Sequence, residues 1–303
     1  MTPPRTQPVT PPVTQPVTQP YFATGRRGAY LPTWPLIGAR LLELRKRRVL
    51  TTVTVVFTIA LPVLFYGIRL IYHLSDPARY APAGAPNAFA TAVTLMDEFG
   101  FLIATALGAT AGTGDLTDGM FRHLVITGRS RLALYLARIP AGLCILLSLA
   151  AVGFTVACLV TAFLGSPLPA GAVTPSPGAM AEAGLWLELD LVIAFTVGLG
   201  LGSLMGQRTV PVILLILLEI IITPALADHA LPHFINGERL VVGVAMDQLK
   251  PAALAGGITV GPGGGPRQLH LPPMPAWAMI AVIAGWIIGW SAIGAWKMTT
   301  RDA

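Results

Sequence analysis

Acidic side chains inside long apolar stretches are the residues of this sequence best suited to chemistry. Glu219 lies between the apolar runs 214–218 and 220–222, and Asp97, Glu98, Glu188 and Asp190 lie in two further apolar stretches. A charge deep in a bilayer costs at least about 2.5 kcal/mol on insertion scales, so such a carboxyl is protonated, paired, or facing a wet cavity.

Grouped carboxylates in one half of a membrane would attract positively charged ligands. We therefore predict a substrate pathway for amphiphilic cations, such as cationic drugs or peptides, and its candidate residues are Glu219, Asp97, Glu98, Glu188 and Asp190. Two alternatives stay open. Glu219 could be protonated and hydrogen-bond a neighbouring helix, and the other four acids could lie in headgroup water.

A second candidate region is the polar segment 114–131. Asp115 is suited to cap a short helix whose apolar side carries Phe121, and Arg122 and His123 lie on its polar flank. Such a helix between two membrane spans could dock a cytoplasmic partner or rest on lipid. The sequence contains no CxxC, HExxH or paired Cys/His cluster, so we predict no metal site.

Composition identifies the medium that surrounds these residues. Of the 303 residues, 54% are hydrophobic and 11% are charged, whereas soluble domains average about 25% charged residues. The mean hydropathy is +0.69. These values exclude a soluble enzyme and a disordered protein. The net charge of +6 comes from bases beside apolar runs, so it indicates membrane topology rather than nucleic-acid binding.

We predict an all-α polytopic membrane protein with six transmembrane helices. Residues 1–30 form a disordered Pro/Thr-rich cytoplasmic tail, either a linker or a docking tail for a proline-binding partner. Residues 31–48 form an amphipathic, basic interfacial helix, and residues 49–303 form the six-span domain. The predicted spans are 49–70, 92–113, 134–164, 185–206, 209–227 and 276–296.

The distribution of bases gives the orientation. With the N-terminus inside, 15 of the 20 Lys and Arg residues fall on the inner side and five on the outer side, which predicts that both termini are cytoplasmic. The longest outer segment is 228–275, with a short helix predicted from Asn236 to Lys250. In span four, Gly198, Gly202 and Gly206 share a helix face that could form a dimer seam or ordinary packing within one subunit.

The segment 114–131 also carries a family resemblance. Gly119-Met-Phe-Arg122, then Gly128-Arg129-Ser-Arg131, and then Arg138 at the entry to a long span resemble the permease subunits of type-2 ABC transporters. The basic run Arg45–Arg48 after an amphipathic segment looks like the N-terminal elbow helix of those proteins. The resemblance extends over about residues 35–300, and its motif lies at 112–140.

The resemblance implies a non-enzymatic permease subunit of an ATP-driven exporter in the bacterial cytoplasmic membrane. Such a subunit pairs with a second copy or a sister permease and binds two copies of an ATP-binding subunit. The chain has no GxxxxGK[ST], so no cofactor is expected in it and ATP would be bound by the partner. The residues implied for the ATPase-coupling loop are Asp115, Asp118, Phe121, Arg122, Arg129 and Arg131.

The main alternative is a secondary transporter that uses Glu219 as a proton or cation relay. An intramembrane enzyme is disfavoured, because the sequence shows no Ser/His pair, paired-Asp motif or metal signature at matched depth.

Overall fold

A computed structural model describes residues 31–117, 130–165, 174–222, 237, 239–255 and 273–300. All regular elements in these ranges are helical, and the described part contains no strand. Five helices are long and apolar enough to cross a membrane, as expected of a multi-pass membrane protein.

The chain begins with two helices that meet at Arg47. Helix α1 spans Trp34–Lys46 and α2 spans Arg48–Val55. The π-helical segment Val56–Ala60 and α3, Leu61–Ser75, continue α2 without a break, and Pro62 lies at the junction. Residues 48–75 therefore form the first candidate span.

The next three long helices contain most of the buried residues. Helix α4 spans Pro86–Thr117, and α5, Arg131–Leu136, leads into α6, Arg138–Leu164. Helix α7 spans Pro177–Met205. Local signals explain its limits, because the Ser176 side chain accepts a hydrogen bond from the Ala179 N–H and Gly206 ends the helix at a φ of 71°.

The remaining elements are shorter, apart from the last. Helix α8 spans Thr209–Ile216 and continues as a π-helical segment, Leu217–Ile222. Helix α9 spans Val242–Gln248 and is followed by a 3₁₀ turn, Ala252–Leu254. Helix α10, the last span, covers Ala276–Thr300.

Helices α4 and α7 form the centre of the bundle and make its most extensive contact. Of the most apolar stretch in each, 67% and 72% of the residues are buried, against 17–22% in the other three spans. The apolar side chains of those three spans are exposed on the outside of the bundle, where lipid would solvate them. The core is therefore a central pair with peripheral spans around it.

The glycine face of α7 packs within the subunit. A Cβ at Gly198 or Gly202 would lie 2.5–2.7 Å from the backbone oxygens of Thr105 and Ala109 on α4, and one at Gly200 would lie 2.5 Å from the Trp290 oxygen on α10. Glycine thus allows three backbones to approach closely. The dimer-seam interpretation of this face is wrong, because the face is already covered.

Several predicted boundaries need correction. Spans two and four begin at Pro86 and Pro177, six and eight residues earlier than predicted, because these helices extend past their apolar stretches. In the predicted outer helix the structure describes a helical residue at Gly237, a turn at 239–240 and a helix at Val242–Gln248, whereas Asn236 lies outside the described residues, so its role as the helix start stays a prediction. Of the predicted fifth span, 209–227, only residues 209–222 are described, so the existence of this span, and with it the total of six, stays a prediction. The cytoplasmic location of both termini also stays a prediction.

Candidate functional site

Two groups of side chains, at opposite ends of the bundle, lie near the two regions that were proposed from the sequence. One end holds Gly114, Arg131 and Thr300, and we call it the inner end, following the orientation predicted from the bases. The other end holds α9, and we call it the outer end.

Carboxyl groups from two spans and from α9 gather towards the outer end. The side chain of Asp190 on α7 hydrogen-bonds that of Asp97 on α4, and Glu98 and Asp247 are close enough to act on Asp190 through their charges. Three helices therefore bring carboxyl groups together at one place in the bundle.

The depth of the cluster follows from helix length. Asp97 and Asp190 lie about 25 and 22 Å along their helices from Gly114 and Met205, at the inner end. A hydrocarbon core is about 30 Å thick. These lengths place the cluster towards the outer end of the bundle, and its location in hydrocarbon rather than in headgroup water stays a prediction.

Helix α9 is inserted into the bundle at this depth. Its residues Val242–Met246 are buried, and the Met246 carbonyl accepts a hydrogen bond of 3.0 Å from the indole N–H of Trp186 on α7. The Trp286 indole on α10 donates to the Leu240 carbonyl at 2.8 Å. The Lys250 ammonium lies 5.4 Å from the centre of the Trp186 ring, so a base stands beside the acidic cluster.

The structure brings together three of the five predicted pathway residues: Asp97, Glu98 and Asp190. Glu188 is on α7 but is not among the groups that act on Asp190. The backbone of Glu219 lies in the π-helical segment after α8, and its side chain lies outside the described residues. Sequence reasoning missed Asp247, although its place in the predicted outer helix was a signal that could have identified it.

At the inner end, α1 packs against the start of the α5–α6 span. Leu36 forms a small apolar cluster with Ala133, Leu134 and Ala137. The guanidinium of Arg40 is 2.7 Å from the Glu43 carboxylate, and Arg47 is 3.6 Å from the same side chain. A Cβ at Gly114 would lie 3.3–3.5 Å from Arg47 and Glu43, so α1 also reaches the end of α4.

A buried base links α6 to α4 at the same level. Arg138 is 2% exposed, and its guanidinium donates to the Gly112 carbonyl at 3.0 Å. The Ser203 hydroxyl on α7 donates to the same carbonyl at 3.4 Å. Helix α6 and the central pair α4 and α7 therefore meet at one backbone oxygen near the end of α4.

The predicted coupling residues are described only in part. Arg131 is the first residue of α5, and its guanidinium donates to the Thr299 carbonyl of α10 at 3.2 Å. The backbone of Asp115 lies in the last turn of α4, which extends to Thr117, and its side chain lies outside the described residues, so its capping role stays a prediction. Asp118, Phe121, Arg122 and Arg129 lie outside the described residues.

The described residues offer no group of three or more His, Cys, Asp or Glu side chains arranged to hold a metal ion. Compared with known proteins, the chain matches no family model and no curated protein.

Proposed function

We propose that this chain is the membrane permease subunit of an ATP-driven exporter, with both termini in the cytoplasm and α1 as an interfacial elbow helix. It forms the translocation pathway, and a separate subunit hydrolyses ATP. The resemblance at Gly119–Arg131 supports this assignment, and so does the set of five apolar helices, in which three peripheral spans surround a packed central pair.

The observation that carries the proposal is the packing at the inner end. The segment that resembles the coupling element of type-2 permeases connects α4 to α5, and α1, Arg138 and Arg131 tie these helices to one another and to α7 and α10. A partner that pushes on this segment would move the central helices as a unit. Such a push can shift the equilibrium between inward-open and outward-open arrangements.

The acidic cluster fits a pathway for amphiphilic cations. A positive charge would compensate the negative charges that Asp97, Glu98, Asp190 and Asp247 bring to this end of the bundle. Helix α9 covers this cluster from the outer end, so it has to move for a substrate to leave. Two ATP-binding subunits and a second permease copy complete the proposed assembly in the bacterial cytoplasmic membrane.

Purification of the tagged chain from its own membranes tests the proposal. We expect an ATP-hydrolysing protein with a Walker motif to co-purify, and Phe121→Asp to abolish that association while membrane insertion persists. Burying an unpaired carboxylate in an apolar contact costs about 3–5 kcal/mol. Undiminished recovery of the ATPase with the variant would refute the docking role of this segment.

A secondary transporter is the second candidate, and the shared carboxyl hydrogen bond between Asp97 and Asp190 favours it. In that mechanism Glu219 or the Asp97–Asp190 pair would relay protons. Uptake of a fluorescent cation into vesicles that contain only this chain, driven by a pH gradient, would support the secondary transporter against the exporter.

A further inference from the structure

An apolar pocket opens on the side of the bundle, between the first span and α4. Its volume is about 230 Å³, and the described residues that line it are all apolar. The first span contributes Leu50, Val53 and Phe57, and α4 contributes Phe99, Leu102 and Ala106. Because an apolar cavity of about 150 Å³ already binds benzene, this pocket can hold a longer hydrocarbon segment.

Two stacked aromatic rings form one wall of the pocket. Phe57 and Phe99 stack there with ring centres 5.2 Å apart. Phe57 belongs to the π-helical segment, whose Thr58 carbonyl is in contact with Gly153 of α6. This contact leaves no room for a side chain at position 153, so it holds the first span against α6 while the pocket stays open towards α4.

The dimensions match one leaflet of a bilayer. Leu50 and Phe57 are seven residues apart, which is about 10 Å along a helix. Half of a hydrocarbon core is about 15 Å. Val53 is 38% exposed, so the pocket opens sideways to the surface that lipid would cover. A chain lying in the pocket would run parallel to its neighbours in the inner leaflet.

A cluster of bases lies at the inner end of the pocket. Arg45 and Lys46 end α1 and Arg48 begins α2, two residues before Leu50, and all three side chains are exposed. Arg47 lies between them in an ion pair with Glu43. Exposed bases at this level attract the phosphate of an anionic headgroup. The site therefore combines an apolar pocket for a hydrocarbon chain with adjacent bases for an anionic headgroup.

We propose that this site binds an anionic phospholipid of the inner leaflet, with one acyl chain in the pocket and the phosphate against Arg45–Arg48. The site is distinct from the acidic cluster and requires no ATP-binding partner. A bound lipid would brace α1 and the first span against α4, next to the helix ends at which the coupling segment begins.

Native mass spectrometry of the purified full-length chain tests this site. The chain is incubated with equal amounts of phosphatidylglycerol and phosphatidylcholine, and the retained lipid is counted after dilution. We expect one retained phosphatidylglycerol per chain. Ala106→Phe, which fills the pocket, should reduce retention at least about tenfold, and Ala281→Phe, at an exposed position on α10, should not.

The headgroup is tested independently of the pocket. Arg45→Gln together with Arg48→Gln should remove the preference for phosphatidylglycerol over phosphatidylcholine, whereas Lys297→Gln, near the end of α10, should keep it. The double variant does not alter the residues that line the pocket. It therefore still tests the proposed lipid site if Ala106→Phe fails to fold. A thermal unfolding midpoint for each variant identifies such a defect.

Three results would overturn the proposal. One is retention that Ala106→Phe leaves unchanged. Another is equal retention of both lipids by the unaltered chain. The third is a loss of self-association in Ala106→Phe with no change in bound lipid, which would assign the pocket to a second copy of the chain.

Discussion

Two polar contacts join helices of this bundle, one through the buried Arg138 and the other through the half-buried Asp97 and Asp190. Arg138 joins α6 to the end of α4, and the Asp97–Asp190 pair joins α4 to α7. Leaving one buried polar partner unsatisfied costs more than the net gain from the hydrogen bond itself. A substitution that removes a buried hydrogen-bond partner should therefore lower stability. A substitution that keeps the hydrogen bond and removes only the charge should change function and leave stability unaltered.

Replacement of Arg138 by methionine is expected to destabilise the bundle. The Gly112 carbonyl would lose a donor in a buried place, at a cost of about 1–3 kcal/mol. Thermal unfolding in detergent measures the effect as a lower midpoint. Arg48→Met, at the exposed first residue of α2, is the matched control, and equal midpoints for the two variants would contradict the structural role of Arg138.

Replacement of Asp190 by asparagine separates the charge of the acidic cluster from its packing. The amide keeps the size and can donate the hydrogen bond to Asp97, so we expect unchanged expression and stability. Transport of, or resistance to, cationic compounds should be lost, and Glu219→Gln should behave in the same way.

The control for both acidic variants is Glu182→Gln, at an exposed position near the start of α7. Resistance to a panel of cations that all three variants retain would remove the cluster and Glu219 from the substrate pathway.

At the scale of the elements, close packing of α4 on α7 determines the architecture. The sequence predicted the existence of these helices well, because each is a long and predominantly apolar run. It did not determine which of them is central, since both central and peripheral spans are apolar on every side. The glycines on α7 were a visible signal, but their spacing fits a subunit interface and internal packing equally well.

The pair Gly202→Ala and Gly285→Ala tests this packing. A Cβ at Gly202 would lie 2.7 Å from the Ala109 oxygen, so we expect a destabilisation of about 1–3 kcal/mol as α4 and α7 separate. A Cβ at Gly285 meets nothing within 4 Å. There the gain in helix propensity should stabilise the chain by up to about 1 kcal/mol. Equal thermal midpoints for the two variants would be incompatible with the packing described above.

At the scale of the whole molecule, the fold class and five of the predicted spans were accessible from the sequence, because hydrocarbon thickness fixes the length of an apolar helix. The insertion of α9 was not accessible. Its seven residues lie in a polar outer segment, and two tryptophans on distant helices hold them in place. Without knowledge of that insertion, Asp247 could not be assigned to the acidic cluster.

Topology is tested by thiol labelling of intact cells. In a background with Cys144→Ala and Cys158→Ala, a cysteine introduced by Gly264→Cys should react with a membrane-impermeant reagent, because the base distribution places 228–275 outside. Arg208→Cys should react only after lysis. The reverse pattern would invert the orientation and exchange the inner and outer ends.

Transport by the reconstituted complex tests the central claim most directly. The chain and its co-purified ATPase are inserted into vesicles, and movement of a fluorescent amphiphilic cation is followed with ATP, without ATP, and with a pH gradient alone. The account predicts movement that requires ATP and that Phe121→Asp abolishes. Movement driven by the pH gradient alone, at the same rate without ATP and without the ATPase, would contradict it.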